Sequence, residues 1–230
     1  MKTIGILGGL GPETTSKIYH SIIDLFRKNK ASKYPSIIIY NLPFPFVIET
    51  EAIIEGRNSH KMLPYLIDGA KILEKAGASF GILPCNTLHK YIQEIRNAVK
   101  IPFLSILDET ASQLKCMKVH TVGILATETS VRDKLYDDVL EKDGIHTLYP
   151  TKTEQYNLNR IILELISGEK NDFQGQMIEK ICSSLHKRGA ESILLACTDI
   201  QIATFKSDIP VVDTTDILIQ ASMRELMKTG

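Results

Sequence analysis

Short runs of consecutive apolar residues alternate along this chain with longer stretches in which apolar positions recur every three or four residues. The short runs predict strands at Thr3–Leu7 (TIGIL), Ile37–Tyr40, Ser79–Pro84, Ile101–Ile106 (IPFLSI), Thr121–Leu125 (TVGIL), His146–Tyr149, the segment leading to Cys197, and Ile209–Val212. The longer stretches predict helices. The first carries Ile18, Ile22, Ile23 and Phe26 at helical spacing behind a glycine turn. Others follow around Met62–Lys75, Leu88–Val99, Asp108–Lys118, Val131–Glu141, Asn159–Ile166, Gln176–Arg188 and from Thr215 onward, with Asp108 read as a helix cap. Pro43 and Pro45 force an irregular loop after the second strand. Strands alternating with helices indicate an α/β protein with parallel sheets.

Three pairs of similar segments occur in the same order in the two halves: TIGIL with TVGIL, GASFGILPCNT with GAESILLACTD, and IPFLSILD with IPVVDTTD. Three ordered pairs imply two similar α/β domains, each with a central parallel sheet flanked by helices, related by a pseudo-two-fold. Open α/β sheets bind ligands beyond the carboxyl ends of their strands. That rule brings four segments to one cleft between the domains: the Gly8–Pro12 turn, Cys85-Asn86-Thr87, Thr127 to Ser130, and Cys197-Thr198-Asp199.

Composition narrows the partners. Lys+Arg and Asp+Glu both number 27, so net charge supplies no footprint for nucleic acid or an anionic membrane. No apolar run approaches the roughly 20 residues that span a bilayer, and Met1 to Leu7 reads directly as a strand instead of a signal peptide. The expected location is cytoplasmic. The four cysteines, Cys85, Cys116, Cys182 and Cys197, show no metal-site spacing and are expected as reduced thiols. Cys116 and Cys182 fall in helical stretches and are expected to be buried small apolar residues.

Cys85 and Cys197 occupy matched positions at the mouths of matched strands. A thiol acts as a base when ionised and an acid when protonated, and a helix N-terminus following each cysteine is expected to favour the thiolate. Removing a proton from one face of a carbon and returning one to the other face requires two such groups in opposite states. This chemistry is racemisation or epimerisation. The turn at Gly8, Gly9 and Gly11 lets backbone N–H groups approach an anion, and its sequence is neither a dinucleotide fingerprint nor a Walker A loop, so a carboxylate is the expected guest. Asn86, Thr87, Thr127, Ser130 and Thr198 supply short neutral donors, which also serve as caps and turn formers. Asp199 and His89 are placed to bias a neighbouring thiol; a first-turn acidic residue and a solvated helix residue are their alternative readings.

The segments GILGGLGPE, PCNTLH, GILATETS and LLACTD resemble the aspartate/glutamate racemase family, nearest its aspartate racemase branch. The resemblance covers nearly the whole chain. It implies a cofactor-independent racemase without pyridoxal phosphate, with Cys85 and Cys197 as the thiol pair. Asn86, Thr87, Thr127 and Thr198 are then expected to contact the α-carboxylate and amino group, with backbone help from the glycine turn. It also implies a homodimer and a last helix packed on the first domain. The expected division is therefore 1–112 with 209–230, and 113–208.

Two positions depart from the family pattern. An arginine is expected shortly after Asn41-Leu42-Pro43-Phe44-Pro45, where this chain has Phe46 and Val47; a lysine is expected near Gly168, where it has Ile166 and Ser167. Arg57 and Lys152 are the nearby cations that would have to substitute. Asp199 stands where glutamate or histidine is usual. Aspartate racemisation is thus the leading expectation. Racemisation of neutral or many amino acids, hydantoin racemisation, maleate isomerisation, malonate decarboxylation and non-enzymatic amino-acid binding remain open.

Overall fold

The computed structural model describes residues 2–29, 33–54 and 57–228. In chain order the first half forms β1 (Thr3–Gly8), α1 (Pro12–Lys28), β2 (Ser36–Asn41), α2 (Phe46–Glu49), α3 (Leu63–Lys75), β3 (Phe80–Ile82), α4 (Ile92–Ala98) and α5 (Ile106–Cys116). The second forms β4 (Thr121–Leu125), α6 (Glu128–Arg132), α7 (Asp137–Glu141), β5 (His146–Leu148), α8 (Lys152–Ile166), α9 (Asp172–Lys187), β6 (Ser192–Leu195), β7 (Val211–Asp213) and α10 (Thr214–Met227). Two parallel sheets result, ordered β2-β1-β3 and β5-β4-β6-β7. No helix among the described residues is long and apolar enough to cross a membrane.

The duplication read from the sequence extends to individual backbone bonds. Ser79 N–H donates to Thr3 O at 2.7 Å, and Glu191 N–H donates to Thr121 O at 2.9 Å. Gly81 N–H reaches Pro102 O and Ile193 N–H reaches Pro210 O, both at 2.8 Å. Gly77 and Gly189 leave their preceding helices with φ of 94° and 103°, a left-handed conformation that glycine adopts without steric cost.

Period-two alternation puts each sheet between two apolar layers. Ile4, Ile6, Phe80 and Ile82 pack with Ile18 and Ile22 of α1 and Leu218 and Met223 of α10, whereas Leu7 packs with Leu66 and Leu73 of α3 on the other side. Ile193 and Leu195 face α8 and α9; Val122, Ile124 and Leu194 face Leu114 of α5 and Leu140 of α7.

Several expectations are corrected. Ile101–Ile106 is no full strand: Phe103 makes a single parallel bridge to Gly81, because Pro102 has no N–H to donate and α5 begins at Ile106. Ser105, not Asp108, caps α5, its hydroxyl accepting the Asp108 N–H at 3.1 Å. The stretch Val131–Glu141 is two short helices broken at Lys134, which takes φ of 50°. The stretch Leu88–Val99 opens with a 3-10 turn, Thr87–Tyr91, before α4. α8 and α9 start earlier than expected because Thr151/Glu154 and Asn171/Gln174 form capping boxes. The expected division at 208/209 separates strands that pair, since β7 bonds to β6 in the second sheet. The chain crosses back with α10, which packs against α1, α5 and β1.

Gly81 makes room for the Phe103 ring. A Cβ on residue 81 would sit 2.4 Å from the ring tip, and Phe103 is buried on all sides. Gly81→Ala is expected to lower stability by about 1–3 kcal/mol through overpacking. Urea denaturation of wild type and variant measures it.

Candidate active site

The turns after β1, β3 and β6 meet at one small buried cavity. Leu10, Gly11, Cys85, Asn86, Thr87, Ile166, Cys197, Thr198 and Asp199 line it. Its volume of about 20 Å³ is room for one water. Larger hollows of about 380 and 500 Å³ lie elsewhere, beside Cys182 and between α5 and α10, and neither touches a strand-end cysteine of the pair.

Of the residues singled out in the sequence, Gly11, Cys85, Asn86, Thr87, Cys197, Thr198 and Asp199 share this cavity. Thr127 and Ser130 stand one step behind it. The Thr87, Thr127 and Ser130 hydroxyls form a closed triangle with edges of 3.0, 3.0 and 3.3 Å. Thr127 also caps α6 through the Ser130 N–H. Gly9 is displaced from its expected role, because its N–H donates to Thr15 Oγ1 at 3.2 Å. Arg57 and Lys152 are exposed and do not line the cavity; Arg57 acts electrostatically on Glu51. Val47 is 67% exposed, whereas Ile166 contributes an apolar wall.

Asn86 is held at both ends of its amide. The Tyr136 hydroxyl donates to its Oδ1, its Nδ2 donates to Thr214 Oγ1 at 3.0 Å, and the Thr214 hydroxyl donates to Leu195 O at 2.8 Å. Tyr136 and Thr214 were not singled out as site residues in the sequence, although Thr214 falls in the repeated IPVVDTTD segment just after β7, because they reach Asn86 across 50 and 128 positions.

Cys197 Sγ donates to Asp199 Oδ2 at 3.8 Å. Burial first, and then the charge of Asp199, push the Cys197 thiol well above its ordinary range. The expectation that a following helix favours the thiolate fails here: only one 3-10 turn, Ile200–Ile202, follows, too short to carry a useful dipole. Asp199 itself is raised to about 6, by burial and then by Glu13, with the Cys197 hydrogen bond opposing.

His89 is 1% exposed, not a solvated residue. The Ile106 N–H donates to its Nε2 at 3.0 Å, which leaves the proton on Nδ1 to donate to Cys85 O at 2.7 Å. His89 therefore fixes the backbone of the Cys85 loop against the start of α5. Burial lowers its pKa to about 4. The unfolded chain, with a histidine near 6.5, binds the extra proton between those values. Stability from neutral His89 is thus complete above about pH 6.5 and lost as pH falls toward 4. Against a His89→Gln variant, the wild-type advantage is expected to shrink by about 3 kcal/mol between pH 7 and pH 4. Urea denaturation across that range is the measurement.

The sequence matches the family described as Asp/Glu/Hydantoin racemase over residues 7–222. It is 30% identical over 229 residues to the broad specificity amino-acid racemase RacX of Bacillus subtilis (strain 168), with 96% of each chain covered. The fold superposes on the aspartate racemase of Picrophilus torridus with a TM-score of 0.81 at 27% identity, covering 100% of this chain and 96% of that one. An aspartate racemase homologue from Pyrococcus horikoshii OT3 gives 0.80 at 29% identity, covering 99% and 100%. With its two parallel sheets and the family match running through both, this chain belongs to the Asp/Glu/hydantoin racemase family and is thereby an isomerase.

Proposed function

We propose that the chain racemises amino acids without a cofactor, with Cys85 and Cys197 as opposed base and acid on the α-carbon. The observation that carries this reading is that both thiols line the same small buried cavity beyond the strand ends, with Asn86, Thr87 and Thr198 as neutral donors beside them. In one direction the Cys85 sulfur takes the α-proton; the electron pair of the broken C–H bond passes into the substrate carboxylate; and Cys197 gives its proton to the opposite face. Burial and Asp199 hold Cys197 protonated before turnover, which suits it to be the acid in that direction. The reverse direction exchanges the roles. Thr87, Thr198 and the remaining Asn86 N–H are the donors for the carboxylate, with Thr127 and Ser130 fixing Thr87. The cleft lies between two domains, 1–112 joined by α10, and the rest; the working form is a homodimer, on the family resemblance.

Among the possible substrates, aspartate suits this lining least. No cation is among the lining residues, Ile166 presents hydrocarbon, and a second carboxylate would be desolvated beside Asp199. Neutral and varied side chains fit better, in keeping with the broad specificity named for the Bacillus relative.

In deuterium oxide, L-alanine incubated with the enzyme should lose optical rotation and gain α-deuterium, read by NMR. Cys85→Ala and Cys197→Ala should each slow racemisation by about 100-fold or more; full activity in either would sink the two-thiol mechanism. Ile166→Lys should raise the aspartate-to-alanine rate ratio about tenfold by supplying a charged hydrogen-bond donor.

A further inference from the structure

Asn86 directly follows Cys85, and the orientation of its amide is decided by where its neighbours' protons go. The Thr214 hydroxyl has one proton and donates it to Leu195 O at 2.8 Å. Toward Asn86 it therefore offers only lone pairs, so the group that meets it at 3.0 Å has to be the amide nitrogen. Oδ1 then faces Tyr136, whose hydroxyl donates to it. Burial pushes the Tyr136 phenol above its ordinary range, so it keeps the proton that it shares. Turning the amide over would set Oδ1 against a lone pair of Thr214, unless the Thr214 proton left Leu195 O unsatisfied. Thr214 is fully buried and Tyr136 is 1% exposed, so solvent does not make good either loss.

The amide nitrogen carries two hydrogens. One goes to Thr214; the other meets no acceptor among the described residues, and Asn86 lines the cavity. The duplication places a second grip on the same loop. Ile106 and Thr214 are the first residues of α5 and α10, at matching places in IPFLSILD and IPVVDTTD. The Ile106 N–H holds His89, which holds the Cys85 carbonyl, while the Thr214 hydroxyl holds the side chain of the next residue, Asn86.

We infer that Thr214 and Tyr136 are positioning residues, which lock the Asn86 amide with its nitrogen toward Thr214 so that the second N–H is the one presented to the carboxylate of the bound amino acid. This rests on Asn86 being a donor to that carboxylate, as proposed above. Neither residue lines the cavity, and both act through Asn86. As the α-proton leaves, the electron pair of the C–H bond enters the carboxylate. A donor held there binds the transition state more tightly than the substrate, so loss of its orientation lowers kcat more than it raises KM.

Racemisation of L-alanine by single and double variants is the test. Thr214→Val should lower kcat by about 10- to 100-fold and Tyr136→Phe by about 5- to 20-fold, with KM changed less than about threefold. Thr214→Ser keeps the hydroxyl and should stay within about threefold of wild type. Added to Asn86→Ala, either Thr214→Val or Tyr136→Phe should cost less than about a further twofold, because the group it positions is gone. Losses that multiply with that of Asn86→Ala, or a Thr214→Ser enzyme as slow as Thr214→Val, overturn the inference. Thermal melting shows which variants are folded, and Tyr136→Phe decides the matter if Thr214→Val is not. The side-chain amide signals of Asn86 in ¹⁵N–¹H NMR spectra, identified by their loss in Asn86→Ala, read the lock without turnover. They should be protected from hydrogen exchange in wild type and Thr214→Ser, and exchange about tenfold or more faster in Thr214→Val and Tyr136→Phe. Equal protection in all of them overturns the inference. Protection lost as expected in a protein that racemises nothing would remove the proposed reaction and leave the lock on Asn86 standing.

Discussion

A buried relay of hydrogen bonds, Tyr136 to Asn86 to Thr214 to the Leu195 carbonyl, ties the end of β3 to the end of β6. Its four members come from the α6–α7 connection, the loop after β3, the first residue of α10 and the last residue of β6. In a dry interior each of these groups needs its partner, since an orphaned donor or acceptor costs about 1–3 kcal/mol. Asn86 sits directly after Cys85, and Leu195 lies two residues before Cys197, so the relay sets both cysteine segments against one frame. The return of α10 onto the first sheet is part of that frame, because α10 delivers Thr214.

Around the relay, the site is built almost entirely of neutral groups. Three hydroxyls satisfy one another in the Thr87–Thr127–Ser130 triangle, and His89 stays uncharged while it clamps the Cys85 loop to α5. The exception is Asp199, whose carboxylate is buried with a thiol on one side and a glycine on the other. Low polarity and the closed cavity act together on Cys197. Burial first and then the charge of Asp199 favour the form of the thiol that carries no charge.

The elements that read most clearly from the sequence are those whose pattern is local. TIGIL and TVGIL become the central strands of their sheets, and the strand-end glycines and cysteines fall where the carboxyl ends of parallel strands must lie. The misread elements are those decided by one residue in its surroundings. Lys134 interrupts an apolar helical pattern by taking a left-handed conformation for which nothing in its own sequence asks. Ile101–Ile106 has the composition of a strand, yet Ser105 captures the backbone for a helix after a single bridge. The early starts of α8 and α9 were legible in the Thr151-x-x-Glu154 and Asn171-x-x-Gln174 spacings.

By itself the sequence determined the α/β class, the duplication, and the delivery of Cys85 and Cys197 to equivalent strand ends, because periodicity and strand order follow from near neighbours along the chain. Only the tertiary structure decided what stands beside them. It left Arg57 and Lys152 outside, set Ile166 as a wall, turned His89 inward, and brought Asp199 and Thr14 close to Gly11. The physical reason is separation: Asn86 meets Thr214 across 128 positions, and such a meeting depends on how whole layers pack, which no local pattern encodes.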